Sequence, residues 1–201
     1  MEYLGLEIKT NSRVYPVAED SLLAAELIES EIPKFGDGTA VIDMGCGTGI
    51  LGLVAAKHPN VKSVVFADIN EYAIELSREN AAENKDIIQA KCTFIKSDLF
   101  ADIYGSFDFA IFNAPYLAEN DKIQLSESWY GGKGGIEVSI NFINAALKHI
   151  KDYGRILLVY SSLSDMDSLL KNFDDLGLNI EAQKKLHISF EDIIACVLKK
   201  E

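Results

Sequence analysis

The stretch 41–49, VIDMGCGTG, constrains this chain more than any other, because it sets an apolar run, a carboxylate and three alternating glycines side by side. Val41, Ile42 and Met44 suit a strand covered on both faces, where apolar side chains are needed on either side of the backbone. Gly45, Gly47 and Gly49 let the chain turn sharply and approach a bound molecule without Cβ clashes. A tight turn with no ligand needs fewer glycines and no aspartate. The stretch therefore predicts a buried strand with a ligand at its carboxyl end.

Two ligand classes compete for that turn. Gly47, Gly49 and Gly52 also fit the spacing G-x-G-x-x-G of dinucleotide sites, with the acidic Asp68 at a suitable distance beyond them. Spacing does not choose between the two, but charge does. A dinucleotide brings an anionic pyrophosphate to the start of the next helix, where the Asp43 carboxylate would repel it. S-adenosylmethionine carries a sulfonium and an ammonium group and no phosphate, so the same carboxylate attracts it. The residues favour the methyl donor as cofactor.

At 201 residues the chain suits one well-buried domain, with residues 1–35 as a lead-in and helix packed on its core. The net charge of −12 supplies no general attraction to a phosphate backbone. The first ten residues lack the basic start and apolar core of a secretory signal, and no eighteen apolar residues run together, so a soluble, cytoplasmic protein is expected. Cys46, Cys92 and Cys196 are widely spaced, and His58, His149 and His187 stand singly. No disulfide framework and no metal site are indicated. Cys46 lies in the glycine turn without a nearby histidine and reads as a small residue that fits, not as a nucleophile.

Hydrophobic patterning and turn signals predict strands at 41–44, 63–69, 92–96, 107–113 and 155–161. Helices are predicted from about residue 20 to Pro33 and at 50–57, 71–84, 136–150 and 166–176. Strands at 180–188 and 193–199 are too close for a crossover helix and should form an antiparallel hairpin. The expected fold is α/β and Rossmann-like: a mostly parallel seven-stranded sheet, helices on both faces, and a C-terminal hairpin. Residues 117–135 read as a long loop rich in glycine, of the kind that usually serves function.

Asp43, Asp68, Asp98 and Asn113 fall at the carboxyl ends of the first four strands, and in an open parallel sheet those ends share one crevice. Asp68 can accept both ribose hydroxyls. Asp98 can meet the adenine amino group while Ile69 and Leu99 flank the ring. A helix cap remains an equal reading of Asp98 taken alone. The segment Asn113-Ala114-Pro115-Tyr116 suits a planar amino group with a delocalised lone pair. The asparagine oxygen and the next carbonyl accept its two N–H bonds, and the aromatic ring fixes it in line with the methyl.

These motifs resemble those of class I S-adenosylmethionine-dependent methyltransferases of the HemK/PrmC family, which methylate the glutamine side chain of translation release factors. The short archaeal and eukaryotic type is the most similar. Val14-Tyr15-Pro16-Val17-Ala18-Glu19-Asp20-Ser21 resembles the lead-in V-Y-x-P-A-E-D-[ST]. Residues 113–116 resemble N-P-P-Y, and residues 129–138 resemble W-x-G-G-x-x-G-x-E-V. The resemblance implies that Ser21 offers its hydroxyl to the cofactor and that Asp43, Gly45, Gly47, Gly49, Asp68, Ile69, Asp98, Leu99 and Asn113 line its site. It also implies that Asn113, Ala114, Pro115 and Tyr116 hold the substrate amide. Two departures stand out: the lead-in proline comes one place early, at Pro16, and Ala114 replaces the first proline of N-P-P-Y. The 40 residues ahead of the donor motif leave no room for the helical substrate-binding domain of bacterial members. Recognition of a release factor then falls to the loop, the lead-in or a partner, and relatives of the short type are often paired with a small zinc-binding activator protein.

The asparagine motif also suits the exocyclic amine of adenine, so N6 methylation of RNA or DNA is the enzymatic alternative. The acidic chain counts against it. A noncatalytic cofactor-binding subunit would have no use for Asn113 and Tyr116.

Overall fold

A computed structural model describes residues 1–115 and 136–201. The chain opens with a small ribbon, β1 (Glu2–Tyr3) paired antiparallel with β2 (Leu6–Glu7). Its two-residue turn needs left-handed backbone at both positions, and Leu4 and Gly5 adopt it with φ of 52° and 80°. Helix α1 (Glu19–Glu31) follows, burying Leu23, Leu27 and Ile28 on one face, and Pro33 lies in the short turn that closes it.

Strands and helices then alternate as β3 (Thr39–Met44), α2 (Ile50–Ala56), β4 (Val61–Asp68), α3 (Glu71–Glu83), β5 (Lys91–Lys96) and β6 (Phe107–Asn113). After the segment outside the described residues come α4 (Glu137–Ala146), β7 (Ile150–Ser161), α5 (Met166–Asp175), β8 (Leu178–Ile188) and β9 (Glu191–Lys200). Seven strands make one sheet in the order β5-β4-β3-β6-β7-β9-β8. The first five are parallel, and β9 runs antiparallel to both of its neighbours.

Side chains along β3 show why the sheet is covered on both faces. Val41 packs with Leu27 and Ile28 of α1 and Leu53 and Val54 of α2. Ile42 and Met44 turn the other way, into a second buried cluster that also holds Phe142 and Ile143 of α4 and Leu169 and Phe173 of α5. Each face of a β3-like run is thus buried by its own helical layer, which is what a parallel sheet requires. The chain leaves β3 outward through β4 and β5 and returns to β6 on its other side, and this reversal opens a crevice at the carboxyl ends of β3 and β6.

The expected sheet and hairpin are present, with two differences of extent. The helix read over 136–150 stops at Ala146, and Ile150 already begins β7. Phe107 donates its N–H to the carbonyl of His149 at 2.8 Å and Ile150 pairs with Phe107, so partners on β6 override the local helical pattern. The hairpin strands are longer than expected and leave only Ser189 and Phe190 as the turn, with Ser189 in left-handed backbone at φ 53°. Among the described residues no helix is long and apolar enough to cross a membrane.

Candidate functional site

At the crevice lies a cleft of about 820 Å³. Gly45 and Gly47 form its floor from the turn after β3, and Asp68 and Ile69 enter from the end of β4. Asp98 and Leu99 follow β5, while Asn113, Ala114 and Pro115 close the end of β6. Ser21 reaches the same space from the first turn of α1. Residues far apart in sequence converge because successive parallel strands end on one edge.

The glycine turn is held from below. Asp68 accepts the N–H of Gly47 on one carboxylate oxygen at 3.0 Å and that of Asn70 on the other at 2.8 Å. Gly49 donates to the Cys46 carbonyl at 2.7 Å, and Cys46 donates to that of Ala67 at 3.1 Å. Burial pushes the Asp68 carboxyl above its usual range, opposed by the N–H groups of Gly47, Asn70 and Ile69. Each carboxylate oxygen keeps a further lone pair for a hydroxyl in the cleft.

Two residues expected in the cofactor site stand elsewhere. Asp43 is 1% exposed and lies beneath the turn, where its Oδ2 accepts the N–H of Gly52 at 2.8 Å. It caps the start of α2 from the end of β3 and does not line the cleft, since that helix opens on Gly49 with no side-chain cap of its own. Burial drives the Asp43 carboxyl well above the usual carboxylate range, against the pull of the Gly52 N–H, and nearby Asp68 adds to the rise. Gly49 is likewise a packing residue: its φ is 83°, and a Cβ there would stand 2.9 Å from the Cβ of Ser77 on α3. The close approach that demands glycine here is to α3.

Leu99 holds left-handed backbone, φ 47°, which is rare for a branched aliphatic residue and costs conformational energy. Ser97 secures it by donating its hydroxyl to the Leu99 carbonyl at 2.7 Å and accepting the Asp102 N–H at 3.0 Å. Asp98 is exposed at the rim. Tyr116 and residues 129–135 of the tryptophan segment lie outside the described residues, whereas Val138 on α4 lines the cleft.

The Asn113 side chain is the most telling group. Its Nδ2 donates to the Ser21 hydroxyl at 3.4 Å, and its Oδ1 is buried with no hydrogen-bond partner among the described residues. A buried acceptor without a partner costs about 1 to 3 kcal/mol and marks a place where a ligand donor is expected.

Sequence reasoning missed the device that builds the lead-in wall, where Arg13, Val14, Tyr15 and Pro16 line the cleft. Asn84 of the α3 C-terminus accepts the Glu7 N–H at 2.8 Å and donates to the Glu7 carbonyl at 2.8 Å. One turn earlier Asn80 treats Lys9 the same way, at 2.9 and 3.1 Å, and also donates to the Thr48 carbonyl at 2.8 Å. Asn70 completes the set by donating to the Arg13 carbonyl at 2.9 Å. Asn80 on α3 and Asn84 at its C-cap thus pair with Glu7 and Lys9, two apart in the lead-in, as a neighbouring strand would. The available signal was a pair of short amides on the buried side of α3, where Asn80 and Asn84 are 0% and 2% exposed.

The sheet order, the helices on both faces and the crevice define a Rossmann-like methyltransferase fold, and comparison with known proteins narrows it further. Residues 6–188 match the methyltransferase small domain family, and the chain belongs to that family. It is 33% identical over 198 residues to a chain of Methanocaldococcus jannaschii named as a protein N5-glutamine methyltransferase, covering 96% of this chain and 95% of that one. It is 29% identical over 166 residues to the release factor glutamine methyltransferase of Lactococcus lactis, covering 78% of this chain and 59% of that one. Among solved structures, the E. cuniculi Mtq2–Trm112 complex, described as methylating the termination factor eRF1, shares the fold with a TM-score of 0.70 at 22% identity, covering 94% of this chain and 99% of that one.

Proposed function

We propose that this methyltransferase takes its methyl group from S-adenosylmethionine and places it on the side-chain amide nitrogen of a glutamine in a translation release factor. The observation that carries the reading is the buried, unpartnered Oδ1 of Asn113 at the cleft, with the Ala114 backbone beside it. Oδ1 and the Ala114 carbonyl accept the two N–H bonds of a planar amide, so the substitution of Ala114 for proline costs the site nothing. Bound there, the amide nitrogen gains the methyl and gives up one proton.

The cleft fits the methyl donor better than a dinucleotide. The N–H groups of Gly47 and Gly52, which a pyrophosphate would need, are already taken by Asp68 and Asp43. S-adenosylmethionine would supply an electrophilic methyl on a sulfonium; Asp68 would hold its ribose, and Ile69 and Leu99 would flank its adenine. Asp43 contributes through the helix it caps and not by contact. The substrate assignment draws on the names of the relatives above, and the Mtq2–Trm112 neighbour supports a small partner protein as an aid to release-factor recognition.

Labelled S-adenosylmethionine should transfer its methyl into the cognate release factor, with or without such a partner. Transfer should vanish when the loop glutamine of the factor becomes alanine. Asn113→Ala should lower turnover at least about a hundredfold and leave donor affinity within a few-fold. Labelling of adenine in RNA or DNA, with the factor inert even beside the partner, would overturn the assignment.

A further inference from the structure

The first turn of α1 carries a second hydrogen-bonded chain that ends on Asn113. Tyr15 donates its hydroxyl to Oδ2 of Asp20 at 3.0 Å. The other oxygen, Oδ1, accepts both the Ser21 N–H at 2.5 Å and the Ser21 hydroxyl at 3.2 Å. Ser21 in turn accepts the Asn113 Nδ2 at 3.4 Å. Asp20 and Ser21 are 3% and 5% exposed, so water does not compete freely for these bonds.

The polarity of this chain matters because an asparagine amide has two nearly isosteric ends. If the NH₂ end faced the substrate, it would meet the donors of the incoming amide with donors of its own. A carboxylate only accepts, so Ser21 must spend its single proton on Asp20 and present a lone pair onward. Only the NH₂ end of Asn113 can satisfy that lone pair, which turns Oδ1 away from Ser21 and leaves it unpartnered.

We infer that Asp20 is a positioning residue: through the Ser21 hydroxyl it selects the rotamer of Asn113 whose oxygen faces the substrate N–H. The inference rests on the Asn113 role proposed above, but its orientation step is measurable without a substrate. Asp20→Ala removes the acceptor of the Ser21 hydroxyl and frees its proton for Oδ1 of Asn113, whereas Asp20→Asn keeps an oxygen for the Ser21 N–H and hydroxyl and so preserves the polarity. Ser21→Ala breaks the chain, and Ser21→Thr keeps it.

The decisive measurements use the full chain. The side-chain NH₂ signals of Asn113 in ¹⁵N-labelled protein, assigned by their loss in Asn113→Asp, should shift in Asp20→Ala and Ser21→Ala and stay in place in Asp20→Asn and Ser21→Thr. With the release factor as methyl acceptor, Asp20→Ala should lower kcat about tenfold to a hundredfold and Asp20→Asn should restore most of it, while the Kd for S-adenosylmethionine holds near the wild-type value in both. In a Ser21→Ala background Asp20→Ala should cost nothing more, because its route to Asn113 is gone. Unmoved Asn113 signals would overturn the inference, as would fully additive rate losses. A wild-type protein that labels no release factor would instead sink the proposed substrate, with the amide signals still deciding the orientation.

Discussion

Replacing Asn80 by alanine tests whether the asparagine pair on α3 holds the lead-in over the cleft. The change deletes three hydrogen bonds, two to the Lys9 backbone and one to the Thr48 carbonyl. The Lys9 bonds are part-buried, so water replaces them in the variant, and each should cost about 0.5 to 1 kcal/mol. The bond to Thr48 is buried, and its loss leaves a carbonyl without a partner, for about 1 to 3 kcal/mol more. The total is about 2 to 5 kcal/mol, large against a domain stability of about 5 to 15 kcal/mol. Urea unfolding of the wild-type and variant chains reads this difference, and amide hydrogen exchange at Lys9 and Glu7 shows whether the lead-in opens by itself. Donor affinity should fall with it, since Val14, Tyr15 and Pro16 line the cleft and the Lys9 bonds are among those that tie the lead-in to α3. A loss under about 1 kcal/mol with unchanged exchange at Lys9 would refute the reasoning, because the three bonds would then add nothing to what the core already fixes.

Gly52→Ala should destabilise the chain by about 1 to 3 kcal/mol in the same assay. The added Cβ would sit 2.4 Å from the Phe66 ring and 2.9 Å from the Asp43 carboxylate. Wild-type stability at this position would show that α2 can shift away from the sheet. The pH dependence of stability reports on Asp43, whose folded carboxyl titrates above the unfolded value of 3.8. The protonated form is favoured in the folded chain, so its contribution is present below the unfolded value and is lost as pH rises through the folded one. Asp43→Asn cannot ionise, so relative to wild type it should gain stability as pH rises above the unfolded value of 3.8, and a constant difference there would contradict the burial of this carboxyl.

Much of this protein is legible in local pattern. The apolar run at 41–44, the later strand signals and the short spacing before the last strand were enough to expect a parallel sheet with a terminal hairpin, because the covering of both faces is written into each strand. The convergence of Asp68, Asp98 and Asn113 on one edge follows from topology once the strands are assigned. The direction of a side chain at a strand end does not follow. Asp43 and Asp68 are both strand-ending aspartates, yet Asp68 reaches the cleft while Asp43 turns under the loop to an N–H that α2 leaves open. Gly49 looks like Gly45 and Gly47 in sequence, but its glycine answers to Ser77, 28 residues on in another helix.

By itself, then, the sequence determined the alternation of elements, the glycine turn and the list of groups brought to one edge, because these depend on periodicity and on residue type. Only the tertiary structure decided which of those groups face the cleft and which hold it up. It placed Asn80 and Asn84 against the lead-in, set Leu99 in a left-handed turn and joined Asp20 through Ser21 to Asn113. A polar side chain serves whichever unpaired donor or acceptor lies within reach, and the identity of that partner is known only after the chain has brought it there.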